Sequence, residues 1–259
     1  MSPAGKIVLR SLRLVEINTI YNESCLDTLK KIEDGAVDIV VTSPPYNMNL
    51  RIRNGRYCSR QIVKEFTTKY NGFSDNLPID DFYNFHLQVL KELIRTSRVV
   101  FYNIQIVTGS KRAFFKIIGE LHEYLKDIVI WDKGVAQPAM GVGILNRQSE
   151  LLLIFEKDNA ISRAFKPHYF SRGTLNDVWQ IGRGAKPKKL KGHSATFPEQ
   201  LVEKILLNFS KEGDLVYDPF MGAGTTALVA KKLNRNFIGS ELVEEYVNLS
   251  EDRLSEIAA

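Results

Sequence analysis

The sequence predicts an α/β fold, a doubly wound and mainly parallel sheet, on three observations. Apolar runs of strand length recur along the chain, and they are rich in Val and Ile with little polar alternation, as strands buried on both faces should be. Stripes of apolar residues at helical spacing lie between these runs, and strands alternating with helices imply parallel βαβ units. Near the C-terminus, one run leads into a glycine-rich turn and then into a further helical pattern. At 259 residues the chain is long enough for a well-buried core.

The strand runs are 37–41, 99–104, 128–131, 151–155, 215–217 and 237–239. Asp80 or Asp81 can cap a helix whose apolar face is Phe82, Phe85, Val89 and Leu93. A similar stripe runs over 111–125. Pro198 stands where a first helical turn begins, ahead of Leu201, Val202, Ile205 and Leu206, and 225–233 reads as a helix after the glycine turn. No internal repeat or low-complexity linker interrupts this order.

Composition excludes several classes. The chain is 44% hydrophobic and 25% charged, as an ordinary globular protein is. No apolar run approaches the roughly 18 residues of a membrane span, and charges scattered through the N-terminal stretch make it a poor signal peptide. Cys25 and Cys58 cannot build a disulfide framework and form no CxxC pattern, which points to a reducing, cytoplasmic compartment. His86, His122, His168 and His193 show no metal-ligand spacing, so no metal is expected.

The net charge of +5 says little, but its distribution says more. Segment 47–76 carries Arg51, Arg53, Arg56, Arg60, Lys64 and Lys69 against Glu65 and Asp75. Segment 157–192 carries nine basic residues, among them Arg183, Lys186, Lys188, Lys189 and Lys191, against Asp158 and Asp177. Both read as loops and both carry aromatics, including Tyr57, Phe66, Tyr70 and Phe73, then Phe165, Tyr169, Phe170 and Trp179. Basic loops with aromatics on an otherwise acidic body suggest a surface for a polyanion, and ordinary solvated loops are the plain alternative.

Two strand-end motifs carry the chemistry. In the first, the run ending at Asp218 continues through Pro219, Phe220, Gly222, Gly224 and Thr225. Glycines there let backbone turn tightly and approach a ligand at a helix N-terminus. Glu241 follows Asp218 by 23 residues, where a carboxylate can accept both hydroxyls of a ribose. Gly222, Gly224 and Ala227 formally match a dinucleotide fingerprint, so a nicotinamide dehydrogenase has to be weighed. Against it, only one strand follows the loop, and Asp218 would repel a pyrophosphate while welcoming an amino group. In the second motif the run 37–41 leads into Ser43, Pro44, Pro45 and Tyr46. The two prolines stiffen a projecting loop. Ser43 offers a hydroxyl, Pro44 a carbonyl and Tyr46 a flat ring. Alone, such a loop could equally be a strand terminator with a packed Tyr.

Together, Ser43-Pro44-Pro45-Tyr46 and Asp218-Pro219-Phe220 with Gly222, Gly224 and Thr225 resemble the exocyclic-amino DNA methyltransferases that use S-adenosylmethionine. The order, catalytic loop first and cofactor loop last, is similar to that of the beta group, and the likeness spans nearly the whole chain. It implies a Rossmann-like methyltransferase sheet, circularly permuted, with basic loop insertions. One methyltransferase domain over 1–259 would comprise a catalytic-loop part at 14–156, a target-recognition segment at 157–192 and a cofactor part at 193–259. Asp218 would meet the methionine amino group, Phe220 the adenosine, Glu241 the ribose and Thr225 the methionine carboxylate. Phe197 opens a helix similar to the one before the cofactor strand in that group. Ser24 and Cys25 stand beside the expected adenine site, with Ser24 where the family usually has Asp.

The resemblance further implies transfer of a methyl group to the exocyclic amine of a base flipped out of double-stranded DNA. Tyr46 would stack on that base, recovering some of the few kcal/mol that unstacking costs, and the basic segments would hold phosphates. Ser at the first position of the motif favours cytosine N4 in this family, with adenine N6 the alternative. Carbon-5 methylation is disfavoured because neither cysteine follows a proline. The recognition segment is short, which raises a homodimer, and a cognate restriction endonuclease is a further partner that the resemblance raises; no membrane partner is expected. A catalytically silent nucleic-acid-binding protein of the same fold stands as the competing class, and methylation of RNA or a small molecule as a further one.

Overall fold

The computed structural model describes residues 15–47, 50–53, 56–59, 77–137, 142–158, 160–183 and 197–257. Its strands are β1 (Thr19–Tyr21), β2 (Val37–Thr42), β3 (Leu50–Arg53), β4 (Arg56–Ser59), β5 (Ser97–Ile104), β6 (Leu125–Gln137), β7 (Arg147–Glu156), β8 (Val178–Gln180), β9 (Leu215–Asp218) and β10 (Asn236–Ser240). Its helices are α1 (Cys25–Lys31), α2 (Ile79–Thr96), α3 (Lys111–Glu120), α4 (Glu199–Phe209), α5 (Thr225–Lys232) and α6 (Glu244–Ser255). All six strand runs expected from the sequence are present. Eight strands form one sheet in the order β1-β10-β9-β2-β5-β7-β6-β8, and β3 pairs with β4 in a separate hairpin.

Strand pleating sorts the core into two layers. Val40 of β2, Val100 and Tyr102 of β5, and Leu153 and Phe155 of β7 bury against α1, α2 and α3. Their sequence neighbours Ile39, Val41, Val99, Phe101, Leu152 and Ile154 bury against α4, α5 and α6. Apolar residues at consecutive positions therefore serve both faces of one sheet, which is why these runs show no alternation. This is the doubly wound arrangement.

The sheet departs from the sequence reading in places. β7 runs antiparallel to both β5 and β6, so the parallel order is broken at β7, and β6 and β8 pair parallel beyond it. The short β1 and β8, at opposite edges, are too brief to show a hydrophobic period. Pro78, not Asp80 or Asp81, precedes α2 at the cap position; the two aspartates fall in the first turn, where they favour the helix dipole instead. α3 stops at Glu120 because the stripe continues into the turn that starts β6.

Segment 160–183 is more structured than a solvated loop. Phe165 and Phe170 meet Phe209 of α4 at 5.0 and 5.5 Å between ring centroids, and Trp179 is 1% exposed on β8. Those three rings belong to the core and not to a polyanion surface; Tyr169 remains exposed.

Candidate functional site

The two motifs come from opposite ends of the chain and meet at the middle of the sheet. β2 and β9 are adjacent parallel strands, and the order of strands reverses there, the place where open α/β sheets bind ligands beyond their carboxyl ends. Thr42, the last residue of β2, donates from Oγ1 to Asp218 Oδ1 at 2.6 Å. Ser43 follows immediately, so one hydrogen bond ties the Ser-Pro-Pro-Tyr loop to the glycine loop.

On the glycine-loop side, Asp218 is buried and accepts three hydrogen bonds: from Thr42, from the Phe220 backbone N–H at 3.0 Å and from Thr226 Oγ1 at 2.7 Å. Burial still wins over these bonds and pushes its carboxyl up from 3.8 to about 6. Glu241 accepts from the Gly222 N–H at 2.8 Å and the Val243 N–H at 2.9 Å, and burial raises it too. Neither carboxylate has an ion-pair partner among the described residues. A buried carboxylate and a half-buried one, with only neutral donors, form a fitting seat for a ligand that carries positive charge and hydroxyls, which is the chemistry of S-adenosylmethionine.

Gly222 (φ 53°) and Gly224 (φ 75°) both need the left-handed region. At Gly224 a Cβ would lie 2.7 Å from the Ser250 side chain of α6, so its close approach is to the protein as well as to any ligand. Thr225 is buried, with Arg253 Nη1 3.5 Å from its hydroxyl. Phe220 packs towards Phe85 and His86, each ring pair 6.1 Å apart. Pro219 lies in the turn between β9 and the glycines. Ser24 is the N-cap of α1 and accepts from the Leu26 N–H at 3.4 Å. Cys25 is buried beside it, and burial pushes its thiol up to about 12, so it stays an inert thiol. Phe197 stands edge-on to Trp131 of β6 at 6.3 Å, on the sheet face opposite Phe220.

On the Ser-Pro-Pro-Tyr side, Pro44 is buried and Ser43 and Pro45 half-buried. Tyr46 is only 9% exposed, and its hydroxyl sits 2.6 Å from Ser43 Oγ. Asn103 near the end of β5 donates to that hydroxyl at 2.6 Å, and the phenol donates to Glu150 Oε2 of β7 at 3.1 Å. Glu150 also accepts from Asn103 Nδ2 and pairs closely with Lys133 of β6. Desolvation, with the Glu150 charge, raises Tyr46 well above its ordinary value, so it remains a phenol. Sequence reasoning missed Asn103, Lys133 and Glu150. The available signal was a polar residue inside or at the mouth of an otherwise apolar run, as Asn103 and Glu150 both are.

Of the expected DNA-binding residues, Arg51, Arg53 and Arg56 lie on the β3–β4 hairpin, with Arg53 opposite Arg56. Arg183 is exposed just past β8. Arg60, Lys186, Lys188, Lys189 and Lys191 lie outside the described residues.

The N6/N4 DNA methylase family model matches residues 37–252, from the start of β2 into α6. The chain belongs to this family. Among relatives of the methylase, the Type II methyltransferase M.HinfI of Haemophilus influenzae is 29% identical over 93% of this chain and 69% of its own length. M2.MboI of Moraxella bovis is 24% identical over 92% and 88%. The fold matches that of the PvuII cytosine-N4-specific DNA methyltransferase, with a TM-score of 0.69 at 20% identity over 91% of this chain and 85% of that one. It also matches M1.HpyAVI in complex with S-adenosylmethionine, with a TM-score of 0.56 at 22% identity over 91% and 99%. The protein is thus a DNA methyltransferase whose methyl donor is S-adenosylmethionine.

Proposed function

We propose that this methylase is a site-specific, Type II-like enzyme that methylates the N4 amine of a flipped cytosine in double-stranded DNA. The observation that carries this reading is the Thr42–Asp218 hydrogen bond, which fixes the Ser43 loop against the glycine loop. Asp218 and Glu241 hold the amino and ribose groups of S-adenosylmethionine, and Thr225 and Phe220 flank them. When bound, that group supplies an electrophilic methyl on a sulfonium; its transfer leaves a neutral thioether, and the amine sheds a proton to water. An exocyclic amine is a weak nucleophile because its lone pair is delocalised into the ring. Ser43 Oγ and the Pro44 carbonyl accept its two hydrogens and turn that lone pair towards the methyl, so orientation supplies most of the rate. Tyr46 lines the pocket with its ring. The hairpin arginines and segment 157–192 hold phosphates and read the sequence, which makes affinity salt-dependent. We read the late position of β9 in the chain as the circular permutation of the beta group.

Ser43 supports cytosine over adenine. The test is mass spectrometry of nucleosides from mixed-sequence DNA incubated with the protein and S-adenosylmethionine. N4-methylcytosine is expected. N6-methyladenine would keep the orientation mechanism and overturn the reading of Ser43, whereas transfer only to RNA would overturn the DNA substrate.

A further inference from the structure

The acceptor role given to Ser43 poses a problem, because a serine hydroxyl is also a donor and can equally point its hydrogen at the target amine. The buried network behind it settles the direction. Glu150, ion-paired with Lys133, acts only as an acceptor in this network. The Tyr46 phenol has one hydrogen, and its contact with Glu150 Oε2 consumes it. Asn103 has two N–H groups, and they reach Glu150 and the Tyr46 oxygen. The Asn103 amide cannot turn over, because its oxygen would then face the carboxylate. Its Oδ1 is left buried without a partner, a cost that the Glu150 contact outweighs. With the phenol hydrogen committed to Glu150, the 2.6 Å contact between Tyr46 and Ser43 can be satisfied only if Ser43 donates. Ser43 then has only lone pairs left for the substrate.

We propose that Glu150 is a positioning residue that, through Tyr46, fixes Ser43 as an acceptor-only group facing the target amine. This rests on the assignment of Ser43 to the amine given above. It explains how a hydroxyl does the work of a carboxylate or amide: the charge sits two hydrogen bonds behind it. Networks of this kind are directional when one arrangement of hydrogens satisfies the carboxylate and both hydroxyls, even though Asn103 Oδ1 stays unpaired.

Glu150→Gln undoes the order. Beside the Lys133 ammonium the new amide turns its oxygen to Lys133 and its NH2 to Tyr46. The phenol hydrogen loses its acceptor at position 150, so Ser43 is no longer held as the donor of this pair and its hydrogen is free to point at the amine. The single-turnover rate of methyl transfer should fall about 100-fold, the scale of losing one oriented polar group in an active site. Dissociation constants for DNA and S-adenosylmethionine should be unchanged. In a Tyr46→Phe background, Glu150→Gln should cause no further loss, because the path is already cut. A rate within threefold of wild type, or an equal loss in both backgrounds, would overturn the proposal.

A readout independent of activity is the Tyr46 Cζ resonance in tyrosine-labelled protein, assigned by its disappearance in Tyr46→Phe. Losing an accepted hydrogen bond and losing a donated one move it in opposite directions. Ser43→Ala should shift it as the loss of an accepted bond, even if Glu150→Gln does not fold; the opposite sign would show that the phenol donates to Ser43 and would sink the proposal. If the wild-type protein binds S-adenosylmethionine and methylates no base, the functional reading fails alone, and the resonance still decides the hydrogen-bond order.

Discussion

The carboxylate behind Tyr46, Glu150 on β7, and the two on the glycine-loop side, Asp218 and Glu241, are satisfied in different ways. Glu150 has a cation of its own, Lys133, and both side chains are nearly inaccessible. Asp218 and Glu241 have hydroxyl and backbone donors and no cation among the described residues. A carboxylate with a built-in counter-charge is closed to further cations and suits it to orient its neighbours. One satisfied by neutral donors alone keeps a raised affinity for protons, and by the same physics for a cationic ligand. On the proposed reading, the contrast separates a positioning side of the site from a binding side.

The largest effect expected from breaking this contrast is on stability. Glu150→Ala strands the Lys133 ammonium in the interior and should cost about 3–5 kcal/mol, read as a lower urea midpoint. Asp218→Asn keeps the shape, strands no charge and should cost far less. If the two variants unfold at the same urea concentration, the distinction between the two sides fails.

The next effect is on binding, and its pH dependence carries a sign. The folded-state carboxyl of Asp218 lies at about 6 instead of 3.8, so the folded protein holds this proton more tightly than the unfolded chain. Its contribution to stability is therefore greatest below pH 4 and is lost as pH rises to about 6, a change of order 3 kcal/mol. Affinity for S-adenosylmethionine should run the opposite way, strengthening as pH rises through the same window and Asp218 ionises against the ligand's ammonium. Asp218→Asn should flatten both slopes and weaken binding at pH 8 by tenfold or more, as measured by calorimetry. Normal binding by this variant would remove Asp218 from the cofactor site.

The geometry of the glycine-loop side was legible in the sequence and the network behind Tyr46 was not. Asp218, the two glycines and Glu241 lie in one short stretch, where spacing alone brings strand end, turn and next strand end together. Asn103, Lys133 and Glu150 come from three strands, and their meeting depends on the antiparallel return of β7, which no local pattern announces. In sequence, Glu150 is one charge at the edge of an apolar run and Lys133 one of many lysines. The aromatics of segment 157–183 misled for a related reason: Phe165, Phe170 and Trp179 look like loop residues until α4 and β6 are placed against them. Ser24 shows a third limit, since the capping of α1 explains it as fully as a ligand contact does.

The smallest expected effect sharpens the description of the binding side itself. Gly222 and Gly224 look equivalent in the sequence, and both have positive φ. A Cβ at Gly222 would meet nothing closer than the Phe220 carbonyl at 3.8 Å, whereas one at Gly224 would strike Ser250 Cβ and Oγ at 2.7 Å. Ser250 is held by hydrogen bonds to the Gly222 and Tyr246 carbonyls, so it cannot simply rotate away. Gly222→Ala should cost only the left-handed backbone penalty, about 1–2 kcal/mol. Gly224→Ala adds displacement of α6 and should exceed it by about 1 kcal/mol or more. Ser250→Ala removes the Oγ contact but keeps Cβ, so it should recover only part of that excess in the Gly224→Ala background. Full recovery would place the clash at the hydroxyl alone, and equal costs for the two glycine variants would mean that α6 yields freely and that the loop, not the helix packing, sets the shape of the cofactor seat.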